Sequence, residues 1–258
     1  MANSSAKLSS IEKALRIIRL LANHNEGLGT IEISEELGLS TSTASRMLIL
    51  LAKEDFVRKS PVGKKYVLGN AILEIGRFSQ RHMGSQLIPI ARPYIDALRD
   101  IVEESAVLEI LSNDSMLILY RASGPNVISV SVRAGTIVPL HISPGAKAIL
   151  AFSPPEVVDS VLKIKLPKYT SKTITDRETL KESFKEIREK GVAFASGEYN
   201  IELNAMGAPI FNREKKPVAA VVITMPRYRA KLHNQEELIS RLKETASKIS
   251  KQVVKYKI

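Results

Sequence analysis

The chain has no cysteine, no tryptophan and four histidines, and aromatic residues make up only 5% of its 258 positions. Without cysteine there is no disulfide framework, no thiolate zinc site and no cysteine nucleophile, and the composition fits a reducing interior. His24, His82, His141 and His233 lie too far apart in sequence to offer a paired ligand spacing, so no metal and no cofactor is expected. No window approaches the roughly 18 uncharged apolar residues of a spanning helix. The first 21 residues lack the long apolar core and small-residue cleavage site of a secretory signal. The expectation is a cytoplasmic chain with no membrane partner.

A phosphate-binding loop is missing too. It would need glycine at positions 141 and 146 and a hydroxyl at 148, where the chain has His141, Ala146 and Ala148. Ser143 two residues after His141 suggests a nucleophile and base, but no acidic group stands near to orient the base. His141 and Lys147 are expected to hydrogen-bond a neighbouring loop instead. No convergent acid, base or metal constellation argues for an enzyme, and no catalytic residue is assigned.

What is present is a folding composition, 44% hydrophobic and 25% charged, with 38 Lys and Arg against 27 Asp and Glu. The formal charge of +11 biases the molecule toward polyanions. The basicity is spread along the chain rather than gathered at one end.

The N-terminal third has the clearest periodicity. Ser9 followed by Glu12 is a capping-box spacing, and Ile11, Ala14, Leu15, Ile18, Leu21 and Ala22 recur at helical intervals. A second, short helix from Thr30 to Leu37 is closed by Gly38, a residue suited to the left-handed conformation at a helix end. Ser40 then caps a third helix, STSTASRMLILLAKEDF, in which Ala44, Met47, Leu48 and Leu51 form the buried stripe. Thr41, Ser42, Thr43, Ser45 and Arg46 are left at its leading end. Small hydroxyls and one guanidinium there allow close approach to a phosphate backbone and reach to base edges. Helix, short glycine turn and helix with a polar leading end form a helix-turn-helix, in which Thr30 opens the first of the two helices. The runs at 56–59 and 64–68 make a basic hairpin, a wing whose Lys59, Lys64 and Lys65 are placed for phosphate contact.

Residues 70–84 return to helix and are read as a linker, and 85–104 continue helical with Pro89 and Pro93 marking a start or kink. Beyond them strands and helices alternate. Strands are expected at 106–111, 116–120, 205–211 and 218–225, and in VISVSVRAG, where Ile128, Val130 and Val132 alternate with serines. Helices are expected at 145–152, 154–162, 177–190 and from 234 to the end.

Four pieces in order, Ser9-Ser-Ile-Glu-Lys-Ala-Leu, Leu39-Ser-Thr-Ser-Thr-Ala-Ser-Arg, Pro139-Leu-His-Ile-Ser-Pro-Gly-Ala-Lys-Ala-Ile-Leu-Ala, and Gly191-Val-Ala-Phe with Glu198, resemble the IclR family of bacterial and archaeal transcription regulators. The resemblance covers nearly the whole chain. It implies an α+β architecture: a winged helix-turn-helix DNA-binding domain over 1–69, a linker helix over 70–84, and a GAF-like α/β effector-binding domain over 85–258. The implied partners are a double-stranded DNA operator, a small-molecule effector that is an organic acid, and a second copy in a homodimer or dimer of dimers.

The family's small-molecule site maps to Ser143, Pro144, Gly145 and Ala146, where the start of a helix is suited to an anion. Leu203 and Ala205 are expected near the same effector. Where relatives that bind small oxo-acids carry an acidic residue and a Ser-x-Ser pair, this chain has Ala195 or Ser196, and Val222 with Thr224. That departure points to a more apolar wall and an aromatic or aliphatic carboxylate. The competing reading is a metabolite sensor or enzyme whose basic surface holds nucleic acid without sequence preference.

Overall fold

The structure is a computed structural model describing residues 9–61, 63–79, 86–130 and 132–256. The chain forms two compact units, 1–83 and 84–258.

In the N-terminal unit α1 (Ser10–Ala22) opens with the expected reciprocal cap. The Glu12 N–H donates to Ser9 Oγ at 3.2 Å, and the Ser9 N–H donates to the Glu12 carboxylate at 2.7 Å. Its buried stripe is shifted from the sequence reading, because Ile17 and Leu21 enter the core while Ile11 and Leu15 are 73% and 52% exposed. The helix carries two apolar stripes and this unit has room for one. A two-residue strand β1 (Leu28–Gly29) leads into α2 (Thr30–Glu36), and Gly38 takes φ of 61° as the chain turns. There follow α3 (Thr41–Lys53), the hairpin β2 (Val57–Lys59) with β3 (Lys65–Leu68), and α4 (Asn70–Ser79). The strands form an antiparallel sheet in the order β1-β3-β2. Ile17, Leu21, Ile33, Ala44, Leu48 and Val57 make one core, to which every helix of the helix-turn-helix contributes. The expected linker helix begins at Asn70, and residues 80–84 of it lie outside those described.

The C-terminal unit begins with α5 (Leu87–Val102) and the strands β4 (Ser105–Ser112), β5 (Ser115–Ala122) and β6 (Ile137–Pro139). Three helices follow, α6 (Pro144–Ala151), α7 (Pro155–Val161) and α8 (Arg177–Lys190), then β7 (Ala193–Ser196), β8 (Leu203–Phe211) and β9 (Pro217–Pro226). A short α9 (Arg227–Ala230) precedes the long α10 (Gln235–Tyr256). All six strands form one antiparallel sheet in the order β6-β5-β4-β9-β8-β7. No helix among the described residues is long and apolar enough to cross a membrane.

Strand alternation sends side chains to two layers. Leu108, Val221 and Ile223 meet Ile95 and Leu98 of α5 and Leu242 and Ile249 of α10. Their neighbours Val107, Ala220 and Val222 face the opposite way, toward α6. Every residue of α6 is buried, since the sheet lies on one side of it and α8 packs on the other.

The strand expected in VISVSVRAG does not form. The described residues of 127–135 run as an irregular segment ending in a turn at Gly135, and β6 comes later, at Ile137–Pro139. Its alternation is used differently: Val130 is buried and Val132 packs against the Val107–Ile118–Val222 cluster, while Ile128 is 63% exposed. The period of two therefore reports a chain with one covered side, which a loop lining a cavity satisfies as well as a strand.

Small residues set the distance between α6 and the sheet. A methyl group on Gly207 of β8 would stand 2.8 Å from the Gly145 nitrogen and from the Pro144 carbonyl carbon, closer than packed atoms allow. Replacing Gly207 by alanine is expected to lift α6 and cost about 1–3 kcal/mol, read from urea denaturation of the full chain. Gly76→Ala, where the added methyl meets nothing within 4 Å, is the matched control and is expected to be neutral or mildly stabilising. Equal effects from the two would show that α6 does not depend on the close approach.

Candidate functional site

The leading end of α3 is held by its own side chains. Ser40 Oγ accepts the Thr43 N–H at 3.3 Å and lies 2.8 Å from Thr43 Oγ1 and 3.2 Å from Ser42 Oγ. The hydroxyls of Ser40 and Thr43 are thus engaged in the cap. Thr41, Ser42 and Arg46 are exposed and Ser45 is half-buried. Arg46 makes no ion pair or side-chain hydrogen bond among the described residues, leaving its guanidinium open to an external acceptor.

On the wing, Lys59 and Lys64 are exposed and Lys65 is half-buried in β3. The Lys59 ammonium stands 6.0 Å from the centre of the Tyr66 ring. Gly29 pairs with Lys65, which sets Thr30 beside the wing. The N-terminal unit therefore presents a capped helix end and a basic hairpin built on the same core.

A cavity of about 440 Å³ opens in the C-terminal unit, within the range of small-molecule sites. Its walls come from β4, β5, β7, β8 and β9, from the 130–139 segment and from the start of α6. Of the residues expected from sequence, Ser143, Pro144, Ala195, Leu203, Ala205, Val222 and Thr224 line it. Ala195 rather than its neighbour Ser196 faces inward, because adjacent residues of β7 point to opposite sides and the Ser196 hydroxyl donates to the Asn204 side chain at 2.9 Å. Gly145 and Ala146 are buried beneath the lining, between α6 and the sheet.

At the start of α6, where an anion is expected, the chain's own side chains already make contacts. Pro144 carries no N–H, and the Ala146 N–H donates to Ser143 Oγ at 3.0 Å. Ser143 in turn donates to Glu109 Oε2 at 2.7 Å. A methyl on Gly145 would collide with that same carboxylate oxygen. The chain's own Glu109 thus stands beside the helix start where the sequence reading expected a ligand carboxylate.

Sequence reasoning missed Glu109, and the signal was a lone carboxylate inside the apolar strand AVLEIL. It is 4% exposed and lines the cavity, and among the described residues no cation pairs with it. Burial pushes its pKa from 4.5 up to about 7, against the downward pull of the Ser143 hydrogen bond. Also on the lining, and also missed, are Arg133 and Tyr199, both exposed, and the half-buried Thr136 and Asn204. Thr224 Oγ1 is inaccessible to solvent and has no hydrogen-bond partner among the described residues.

One turn along α6, Lys147 meets Glu198 at 2.6 Å, with both side chains buried. Burial pushes the lysine down and the glutamate up, and each charge pulls the other back toward its ionised form. The pair ties α6 to the β7–β8 connection, whose backbone at Glu198 also accepts the Thr173 hydroxyl at 2.7 Å. His141 lies 2.9 Å by Nε2 from the Pro167 carbonyl, so His141 and Lys147 are engaged with neighbouring loops.

Two family models match this chain, the IclR helix-turn-helix domain over residues 10–61 and the bacterial transcriptional regulator IclR C-terminal domain over residues 82–251. The chain belongs to the IclR family. The HTH-type transcriptional regulator BhcR of Paracoccus denitrificans is 29% identical to it over 88% of this chain and 81% of that protein. The Thermotoga maritima IclR crystal structure superimposes with a TM-score of 0.74 at 28% identity, covering 95% of this chain and 98% of the other. An IclR homologue from Microbacterium hydrocarbonoxydans, complexed with 4-hydroxybenzoate, shares the fold at a TM-score of 0.80 and 24% identity, with 95% and 99% covered. As an IclR-family transcriptional regulator, the chain pairs a helix-turn-helix DNA-binding domain with a C-terminal effector domain.

Glu109 makes the stability of this regulator depend on pH with a definite sign. Below pH 4.5 the carboxyl is protonated in both folded and unfolded chains. Between 4.5 and about 7 the unfolded chain releases the proton and the folded one keeps it, so stability falls as pH rises, by about 3 kcal/mol in total. Glu109→Gln is expected to remove this slope, so its stability relative to the parent grows between pH 4.5 and 7 and levels off above. Urea midpoints of the two proteins across that range check it, and a constant difference would place the ionised carboxylate in a solvated setting.

Proposed function

We propose that this regulator reads an operator through the leading end of α3 and answers to a small organic acid held in the C-terminal cavity. The observation that carries the DNA part is Arg46, exposed and without a partner among the described residues, beside Thr41 and Ser42 on a helix end that Ser40 caps. Ser42, Thr43, Ser45 and Arg46 reach groove and backbone, Ser40, Thr41 and Thr30 flank them, and Lys59, Lys64 and Lys65 of the wing meet phosphates. The chain acts by binding rather than catalysis, in keeping with relatives named as transcriptional regulators.

The effector reading is supported by the cavity's size and its largely apolar wall, in which Ala195, Leu203, Ala205 and Val222 leave room for a body larger than a two- or three-carbon oxo-acid. A fold neighbour complexed with 4-hydroxybenzoate fits that class. The functional unit is a homodimer, matching the two-fold symmetry of an operator, or a dimer of dimers. The exposed Ile11 and Leu15 of α1 and Leu73 and Ile75 of α4 offer apolar surface for pairing. Ligand binding shifts the arrangement of effector domains, and α4 carries that shift to the spacing of the two recognition helices.

Fluorescence anisotropy on DNA from upstream of the chain's own gene, against a shuffled control over a salt series, tests the reading. The upstream fragment is expected to bind tighter at physiological salt. Arg46→Ala is expected to weaken it by about 1–3 kcal/mol if the guanidinium meets a guanine edge. Lys64→Ala is expected to weaken both fragments alike and lower the salt slope by about one. Unchanged affinity in Arg46→Ala would remove α3 from the interface.

A further inference from the structure

The polar groups of the cavity are not arranged for a carboxylate at its floor. In the sheet register Glu109 faces Ala220, Val107 faces Val222 and Ser105 faces Thr224. Residues two apart share a face, so along the cavity side the sheet runs from Glu109, past the apolar Val107–Val222 pair with Ile118 against it, to the unpartnered Thr224 hydroxyl. The sequence is polar, apolar, polar. Glu109 lies at one end and, among the described residues, Ser143 supplies its one hydrogen bond, leaving acceptor capacity unused.

A buried carboxylate without a cation costs stability unless something satisfies it. Among the described residues the Ser143 hydroxyl is the one hydrogen-bond donor to Glu109, and no cation stands beside it. The charged and titratable residues that line the cavity with Glu109 are Arg133, which is exposed and thus near the mouth, and Tyr199, also exposed. From α6, Ser143 faces Glu109 directly, while Lys147 is spent on Glu198. From β9, Ala220 and Val222 bring no charge.

We infer that the effector enters with a hydrogen-bond-donating group, a hydroxyl or an amine, directed at Glu109, and leaves its acid group outward on the side of Arg133. This rests on the reading of the cavity as the effector site and names the chemistry that site selects. An acid group at the floor would face the Glu109 carboxyl and repel its ionised form, whereas a donor completes its hydrogen bonding. Glu109 is then a specificity determinant that rejects an effector of the same shape lacking the donor, because the carboxylate would remain buried and unsatisfied.

Matched probes test this by calorimetric titration of the full chain at about pH 8, above the Glu109 titration range. 4-Hydroxybenzoate and para-aminobenzoate carry the donor, and para-methylbenzoate has the same shape without it. The parent is expected to prefer the donor probes by roughly tenfold or more. Glu109→Leu is expected to erase the preference, and Glu109→Gln, which keeps an acceptor oxygen and serves should the leucine variant fail to fold, to retain part of it. Equal or tighter binding of para-methylbenzoate to the parent overturns the inference, as does a preference that survives in Glu109→Leu. Binding of none of the three also overturns it. Operator binding, measured separately on the same preparations, shows whether the regulator reading falls with it.

Discussion

The contact between the start of α6 and the central sheet is the constraint on which the C-terminal unit depends. Gly145 and Gly207 let a helix lie against strands closely enough that either methyl group would collide with its neighbours. At that contact the Ser143 hydroxyl serves two partners, accepting from the Ala146 amide and donating to Glu109. The cavity wall follows from it. With α6 pressed to the sheet at this end, the space beyond is bounded by the bare apolar side chains of Val107, Ile118 and Val222 and by the irregular segment that carries Val130 and Val132.

The same contact explains the company α6 keeps. A helix buried on every side has no water to solvate a charge, yet Lys147 sits within it, and Glu198 on the β7–β8 connection neutralises it. Replacing the pair by apolar groups would cost the fold little, while removing one partner would strand the other. What the pair provides is position, because it fastens to α6 the connection that also carries Tyr199 of the cavity lining.

The N-terminal unit solves a different problem, the presentation of a polar helix end to an external partner while its first turn is held by its own cap. Ser9 with Glu12, Gly29 with Glu32, and Ser40 with Thr43 each satisfy a helix start from within. Among the described residues, the exposed Thr41 hydroxyl and Arg46 are then left without a structural partner. The exposed Ile11, Leu15, Leu73 and Ile75 show that one unit of this size buries only part of the apolar surface its helices carry.

Much of this was written in local sequence. The Ser9–Glu12 capping box, the Ser40 cap, the Gly38 turn, the stripe of Ala44 and Leu48, and the apolar strands β4, β8 and β9 follow from short-range spacing, since caps and amphipathic faces involve residues three or four apart. The family resemblance placed Ser143, Ala195, Val222 and Thr224 near one another, as the cavity does. The tertiary structure alone decided which of two apolar stripes on α1 enters the core, and that the alternating VISVSVRAG lines a cavity instead of joining a sheet. It also brought Glu109 against Ser143, 34 residues away in the chain, and so set an acceptor beside the expected anion site. The reason is physical: periodicity reports that one side of a segment is covered, whereas what covers it depends on strand order and close packing, which no window of neighbouring residues contains.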